Sequence, residues 1–251
     1  MRFRWIAAGV VALLVVAAGG LAVAYPSVAA TTCPGCYGLT RVADGLWSER
    51  DLSTARKDQL TALAADARRR VGDFYGGRRS DPRLVACYTD ECYDRIGGGG
   101  EKGIAVLNRA VMLSPRGLDV VIAAHEMSHV ELHERLDAEV PQWFDEGLAV
   151  VVSDDPRYLG EHCPPPGKTS QPDEALPNEA PSNEAPSNEA LSNEPLPGTL
   201  SDWLTAASAD PQVYSRAGCR VSRWLEANGG PPAAIKLIDD LNRGEPFPAL
   251  R

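Results

Sequence analysis

The sequence lacks an excess of positive charge. Its 251 residues include 25 Lys and Arg against 34 Asp and Glu, which gives a net charge of −9 and an isoelectric point near 5.0. Because a nucleic-acid-binding surface attracts phosphates with Lys and Arg, this balance argues against DNA or RNA as a partner. The chain is also not long enough to require two large domains, and its hydrophobic content is ordinary for a globular protein.

The segment 164–198 has few apolar residues to bury, with three leucines and no Val, Ile, Met, Phe, Trp or Tyr. It opens on three prolines, is rich in Pro, Asn, Glu and Ser, and repeats Asn-Glu at Asn178, Asn183, Asn188 and Asn193. A segment that can bury so little apolar surface cannot offset the entropy lost on ordering, so we expect a disordered, solvated insertion. The flanking ranges 31–163 and 199–251 are then expected to form one domain.

One long apolar run is present, at the N-terminus. Arg2 and Arg4 precede an uncharged run from Ile6 to Ala24, which is just long enough to span a bilayer. Small residues suited to signal cleavage occur as far as Ala29, so residues 1–30 are either a membrane anchor, which is slightly favoured, or a cleaved signal. In both cases the arginines stay inside and the rest is exported, so we expect an extracytoplasmic protein that is anchored or secreted.

Six cysteines are consistent with export, because disulfides persist in oxidising compartments. The sequence does not choose among the possible pairings, although a local pair between Cys87 and Cys92 is plausible. Cys33-Pro34-Gly35-Cys36 has the spacing of a redox C-x-x-C, but no strand precedes it and no helix follows that would activate a thiolate. A second zinc site formed by these four cysteines is an alternative that we favour less than disulfides.

The stretch His125-Glu126-Met127-Ser128-His129 matches the pattern H-E-x-x-H. Apolar residues before and after it predict a largely buried helix, on which residues four apart lie on one face. His125 and His129 can therefore offer two imidazole nitrogens to one metal ion, with Glu126 beside them. The alternative is a buried helix whose histidines are hydrogen-bonded in a core.

A second stretch, Pro141 to Ala149, predicts another helix that turns back on the first and presents Glu146 to the histidine pair. Its Trp143-Phe144-Asp145-Glu146-Gly147-Leu148-Ala149 resembles the W-x-x-E-G-x-A segment of the gluzincin metallopeptidases. The resemblance implies that His125, His129 and Glu146 bind Zn²⁺ and that Glu126 is the catalytic base. It also implies an α+β, zincin-like catalytic domain with a small upstream sheet, the H-E-x-x-H helix and downstream helices.

A metzincin would carry Gly at position 132 and His at position 135, where this chain has Leu132 and Arg135. His133 is a further candidate ligand by spacing. Because Glu131, Glu134 and Arg135 surround it in sequence, we expect His133 to lie on a solvated, charged face.

Periodicity and turn residues predict the other elements. Helices are expected from Ser53 to Tyr75, near Leu200 to Leu204, from Pro211 to Asn228 and from Ala233 to Leu241. A strand is expected from Arg83 to Tyr88, a turn at Gly97 to Gly100, and one or two strands from Gly103 to Leu113. By resemblance to zincins, Ala105 to Leu113 is the candidate edge strand that pairs with a substrate backbone.

The expected reaction is hydrolysis of a peptide bond in a peptide or protein substrate, with zinc polarising the carbonyl and Glu126 moving the proton. The chain lacks the G-x-M-E-N segment of the gluzincin aminopeptidases, which favours an endopeptidase. Tyr214 is the candidate donor to the oxyanion, and packing in a helical core is its alternative role. The alternative function is an inactive, zinc-stabilised binding or scaffold module.

Overall fold

The structure is a computed structural model, and it describes residues 24–159, 163 and 195–250. Within these residues five strands form one mixed sheet, and α-helices lie both before and after it in the chain. The expected α+β class, with a small sheet upstream of the H-E-x-x-H helix and helices downstream, is confirmed. Compact packing divides the described residues into two units, one formed by residues 24–69 and 78–131 and the other by residues 70–77 and the described residues from 132 onwards.

The sheet belongs to the first unit. Its strands are β1 (Thr40–Ala43), β2 (Leu46–Ser48), β3 (Arg83–Ala86), β4 (Gly103–Val106) and β5 (Ala110–Leu113). The order across the sheet is β1-β2-β3-β5-β4, with β2, β3 and β5 parallel and the outer strands β1 and β4 antiparallel to their neighbours. All four residues of β5 are buried, as expected for a strand that is covered on both faces.

The predicted edge strand needs a correction. The segment Ala105 to Leu113 contains a turn at 107–109, and its second half, β5, lies inside the sheet between β3 and β4. The edge is formed by Gly103–Val106 instead. The turn returns the chain sharply, because Leu107 and Asn108 have φ of 49° and 52° and the Arg109 N–H donates to the Val106 carbonyl over 3.1 Å.

The described residues of the first unit include all or part of the helices α1 (Pro26–Thr32), α2 (Thr54–Tyr75), α3 (Asp90–Arg95) and α4 (Val120–Arg135). The predicted helix from Ser53 to Tyr75 is therefore confirmed as α2. It buries one stripe, Leu60, Ala64, Ala67 and Val71, and Gly76 and Gly77 end it with positive φ. Helix α1, helix α3 and the β1–β2 hairpin were not predicted.

The first unit has its core between the sheet and the short helices. Ala30 of α1, Val85 of β3, Tyr93 and Ile96 at the end of α3, and Met112 of β5 are all buried there. Helix α3 begins at a side-chain cap, since the Thr89 hydroxyl accepts from the Cys92 N–H over 3.2 Å. In the described sheet, β4 is one of the two outer strands.

The described residues of the second unit contain the helices α5 (Gln142–Val152), α6 (Leu200–Ala209), α7 (Gln212–Ala227) and α8 (Pro231–Asn242). All four predicted downstream helices are confirmed within a few residues. Helix α5 is almost wholly buried and packs closely on α7. Its first N–H groups, of Gln142 and Trp143, donate to the carbonyls of Gly198 and Pro197, so backbone rather than a side chain caps the helix.

All six cysteines are disulfide-bonded, as Cys33–Cys36, Cys87–Cys92 and Cys163–Cys219. The expected local pair is confirmed. The alternative of a second zinc site formed by the first four cysteines is wrong, because a thiol in a disulfide is not available as a thiolate ligand.

Two predictions concern residues that the structure leaves undescribed. The N-terminal anchor or signal lies outside the described residues as far as residue 23. The repeat insertion lies outside them from 164 to 194. Among the residues that are described, no helix has both the length and the apolar character needed to cross a membrane.

Candidate metal centre

Helix α4 carries the two histidines on one face. The rings of His125 and His129 meet edge to face with their centroids 4.9 Å apart. Both side chains are half-buried, whereas Ala123, Ala124 and Met127 on the other faces are fully packed. The predicted burial of the helix is confirmed, but the histidines line its more open side and are not buried in the core.

Glu146 comes from the fifth position of helix α5. Its side chain is buried, and the Gln142 amide one turn earlier donates to Oε1 over 3.1 Å. His125, His129 and Glu146 each offer one ligand atom, and these three atoms lie within 4.8 Å of one another. The structure therefore brings together the three residues that the sequence predicted as ligands.

The donor set fits a divalent cation. Two imidazole nitrogens and one carboxylate oxygen are the ligand types that zinc and related transition metals prefer. A tetrahedral ion with bonds of about 2.0–2.2 Å holds its ligand atoms about 3.3–3.6 Å apart, so the three side chains need to close by only about 1 Å. These three residues form a group that can hold a metal ion.

Glu126 follows His125 on α4 and is not one of the three ligand residues. Its Cγ would lie 2.9 Å from a Cβ built on Gly103, so the side chain packs directly against the edge strand β4. A side chain at position 103 would displace it. Glycine at this position therefore allows the Glu126 carboxylate to lie beside the sheet edge.

A buried phenol and a second carboxylate lie in the same region. The Tyr93 hydroxyl donates to Glu101 Oε1 over 2.8 Å, and the Gly99 N–H donates to the same oxygen over 2.9 Å. Burial raises the pKa of the Tyr93 phenol well above its ordinary value, and the charges of Glu101 and Glu126 add to the rise. Sequence analysis missed this pair, because nothing near Tyr93 in the chain marks it as close to Glu126.

The pKa of the Glu101 carboxyl is lowered, in contrast to that of Tyr93. Burial alone would raise its pKa, but backbone N–H groups, the Tyr93 hydroxyl and the charge of Arg116 together lower it. Glu101 therefore remains an ionised acceptor that holds the Tyr93 hydroxyl in place.

His133 is exposed, in agreement with the sequence interpretation, but its surroundings differ from the expectation. Its Nε2–H donates to Asp145 Oδ2 over 2.9 Å, and Asp145 is buried. The predicted solvated, charged face is wrong for Glu131 and Arg135, which are buried on the opposite side of α4. The i, i+2 spacing of Glu131 and His133 places them on different faces of a helix.

Glu131 is fully buried because it binds a loop. The Arg79 and Ser80 N–H groups and the Ser80 hydroxyl donate to its two oxygens over 2.8, 2.9 and 2.6 Å. Three donors compensate the desolvation of one carboxylate. The back of the ligand-bearing helix is thereby fixed to the turn that follows α2.

Tyr214, the predicted oxyanion donor, is half-buried on helix α7. Its ring stacks on Tyr158, with the centroids 5.1 Å apart, and meets Trp203 edge to face at 5.0 Å. Burial raises the pKa of the Tyr158 phenol, Arg157 opposes this effect, and the carboxylates of Asp155 and Glu146 raise it further. Glu146 is therefore one of the charged groups that act on the Tyr158 phenol.

Comparison with known proteins adds no assignment: no protein-family model, curated protein or solved structure matches the chain.

Proposed function

We propose that the chain is a zinc-dependent peptidase of the gluzincin type, with a zincin-like fold, that hydrolyses internal peptide bonds in an exported location. The observation that carries the proposal is the convergence of His125, His129 and Glu146, with Glu126 beside them and outside the ligand set. Three protein ligands leave a fourth position for substrate or water, which distinguishes a catalytic zinc site from a closed structural one. Three disulfides support export.

Within this proposal, zinc would polarise the scissile carbonyl and make water a better nucleophile. Glu126 accepts a proton from the attacking water and delivers it to the leaving nitrogen as the C–N bond breaks. Glu126 is suited to this role because its side chain packs through Cγ against Gly103 at the sheet edge and is not among the ligands.

The edge strand β4 suits a peptide in extended conformation. In the described sheet, β4 pairs with β5 on one side only, so its other edge can pair with a substrate strand. A peptide held there passes Glu126, which packs on the same strand. This arrangement favours cleavage within a chain and does not require capture of a free amino terminus.

The test uses the full chain in mild detergent, metal analysis after dialysis, and cleavage of a peptide library followed by mass spectrometry. The parent should hold one zinc ion per chain and cleave peptides. Glu126→Gln should keep the zinc and the melting temperature but lose about 10²–10⁴-fold in turnover, as expected for removal of a general base. Unchanged turnover in Glu126→Gln would refute the mechanism. A parent that binds zinc but cleaves no peptide would support the inactive scaffold module instead.

A further inference from the structure

The contact between His133 and Asp145 joins the two helices that carry the predicted ligands. His133 lies one turn beyond His129 on α4, and Asp145 immediately precedes Glu146 on α5. Their side chains meet at 2.9 Å. Every residue of this contact is therefore next to, or one turn from, a residue of the proposed metal site.

The two partners differ in burial. The Asp145 side chain is only 8% exposed, whereas that of His133 is 37% exposed. A pair of fully exposed charges contributes little, whereas a hydrogen bond to a buried carboxylate is less screened by water, and its loss removes one of the donors that compensate the desolvation of the carboxylate. The contact is therefore stronger than an ordinary surface pair and restricts the position of Asp145.

Restricting Asp145 also restricts Glu146. Successive residues on an α-helix are about 100° apart around the axis, so a fixed Asp145 sets the rotation of α5 at this level. That rotation determines where the Glu146 carboxylate points. Ligand atoms must lie within a few tenths of an ångström of their bonding distance, so a small rotation of α5 would weaken the site.

We propose that His133 and Asp145 form a positioning pair that holds Glu146 in register with His125 and His129, independently of any bound metal. The inference rests on the metal centre of the proposed function. His133 itself is not a ligand in this proposal, because in the described part of the chain the group able to hold an ion contains only His125, His129 and Glu146. Gln142 donates to Glu146 Oε1 and so helps to orient that side chain, while the pair contributes to holding the helix that carries it.

The experiment measures the dissociation constants of the full chain for Zn²⁺ and Co²⁺ by chelator competition, together with the Co²⁺ absorption spectrum. His133→Leu keeps the volume but loses the donor, and should weaken binding by about 10–100-fold, the usual effect of losing a partner that orients a ligand. His133→Gln restores a donor at a similar reach and should bind within about threefold of the parent. Glu134→Gln, an exposed neighbour on the same helix, is the matched control and should bind like the parent.

A second arm keeps the test decisive if His133→Leu folds poorly. Asp145→Leu removes the other partner of the contact, and it should weaken metal binding by at least a similar factor. The double variant His133→Leu/Asp145→Leu should be no weaker than the worse single variant, because both remove the same contact. If the increase of the dissociation constant in the double variant equals the product of the increases in the two single variants, the two residues do not act through a shared contact.

The outcomes separate this inference from the proposed function. A lower melting temperature of the metal-free protein with an unchanged dissociation constant would overturn the positioning role and leave a purely structural pair. A parent that binds metal but cleaves no peptide would refute the peptidase, while the comparison of dissociation constants would still decide the role of His133. A parent that binds neither Zn²⁺ nor Co²⁺ would overturn both.

Discussion

Tyr158 and Tyr214 stack on each other, and the charge of Glu146 acts on the phenol of Tyr158. Such a phenol, kept neutral by burial, can donate a hydrogen bond to an oxyanion. Tyr158 and Tyr214 are therefore the two phenols that we consider as donors to an oxyanion near Glu146. Tyr214 remains the sequence-based prediction for this role, and Tyr158 is the candidate that the structure adds.

Removing each hydroxyl separately identifies the donor. For the proposed peptidase, we predict that Tyr158→Phe lowers kcat by about 10²–10³-fold, the usual effect of losing one oxyanion donor, because Tyr158 is half-buried shortly after the helix that carries Glu146 and stacks on Tyr214. Tyr214→Phe should stay within a few-fold, since its ring packing on Trp203 is retained. Zinc content and melting temperature are measured beside kcat for both variants. The reverse pattern would assign the role to Tyr214.

Glu131 is a buried carboxylate, although the sequence analysis had placed it on a solvated face. Glu131→Leu leaves the N–H groups of Arg79 and Ser80 without this acceptor, and a buried donor left unsatisfied, here that of Ser80, costs about 1–3 kcal/mol. We therefore expect a fall in melting temperature, at about 2–4 °C per kcal/mol for a chain of this size. Glu131→Gln, which keeps one acceptor oxygen, should lose less. Glu134→Leu changes an exposed carboxylate on the same helix, and an equal loss there would contradict the anchoring role.

At the scale of elements, α5 and α7 touch at their backbones. A Cβ built on Gly147 would lie 2.6 Å from the Ala217 carbonyl oxygen and 2.9 Å from Val221 Cγ2. Real side chains do not approach so closely, so the helices lie together only because position 147 is glycine. This contact fixes α5 directly after Glu146.

Gly147→Ala should therefore move α5. Forcing a methyl group into such a contact costs about 1–3 kcal/mol or more, so the melting temperature should fall. The dissociation constant for zinc should rise with it, because Glu146 shifts with the helix. Gly35→Ala is the matched control, since nothing lies within 4 Å of its Cβ position. A variant with normal stability and normal zinc affinity would show that the helices separate without effect on the site.

At the scale of the whole molecule, the predicted insertion enters and leaves the helical unit at defined points. Cys163 is bonded to Cys219, and the Pro197 and Gly198 carbonyls accept from the first N–H groups of α5. The disulfide and these two hydrogen bonds lie outside the Asn-Glu repeat. The composition of the repeat and these attachments together predict that the repeat itself contributes little to stability.

Deletion of Gln171 to Pro195 tests this prediction. Closure entropy changes only slowly with loop length, by about 0.6 kcal/mol per doubling, so melting temperature and peptide cleavage should stay close to those of the parent. The deletion preserves Pro197 and Gly198. Extending it through Gly198 removes the acceptors for α5 and should destabilise the protein. A large fall in melting temperature for the shorter deletion would mean that the repeat packs on the domain.

Local patterns in the sequence determined the most reliable predictions. Helix α2, the face shared by His125 and His129, and the ends of α7 and α8 follow from residues within a few turns of each other. Helical hydrogen bonds and side-chain neighbours connect residues three or four apart, so the information lies within a short window. The same holds for Cys87 and Cys92, whose partner is close in the chain.

The tertiary structure alone decided which distant residues meet. Two strands that the sequence left joined between Gly103 and Leu113 separate into an edge and an interior strand because β3 pairs with only one of them. Glu131 is buried because Ser80 supplies hydrogen-bond donors to its carboxylate. The charge of Glu146 raises the pKa of Tyr158 because α5 and the segment after it fold together. Each of these contacts joins residues that no short window contains. Their closeness is a property of how the helices and strands pack, which depends on the whole chain at once.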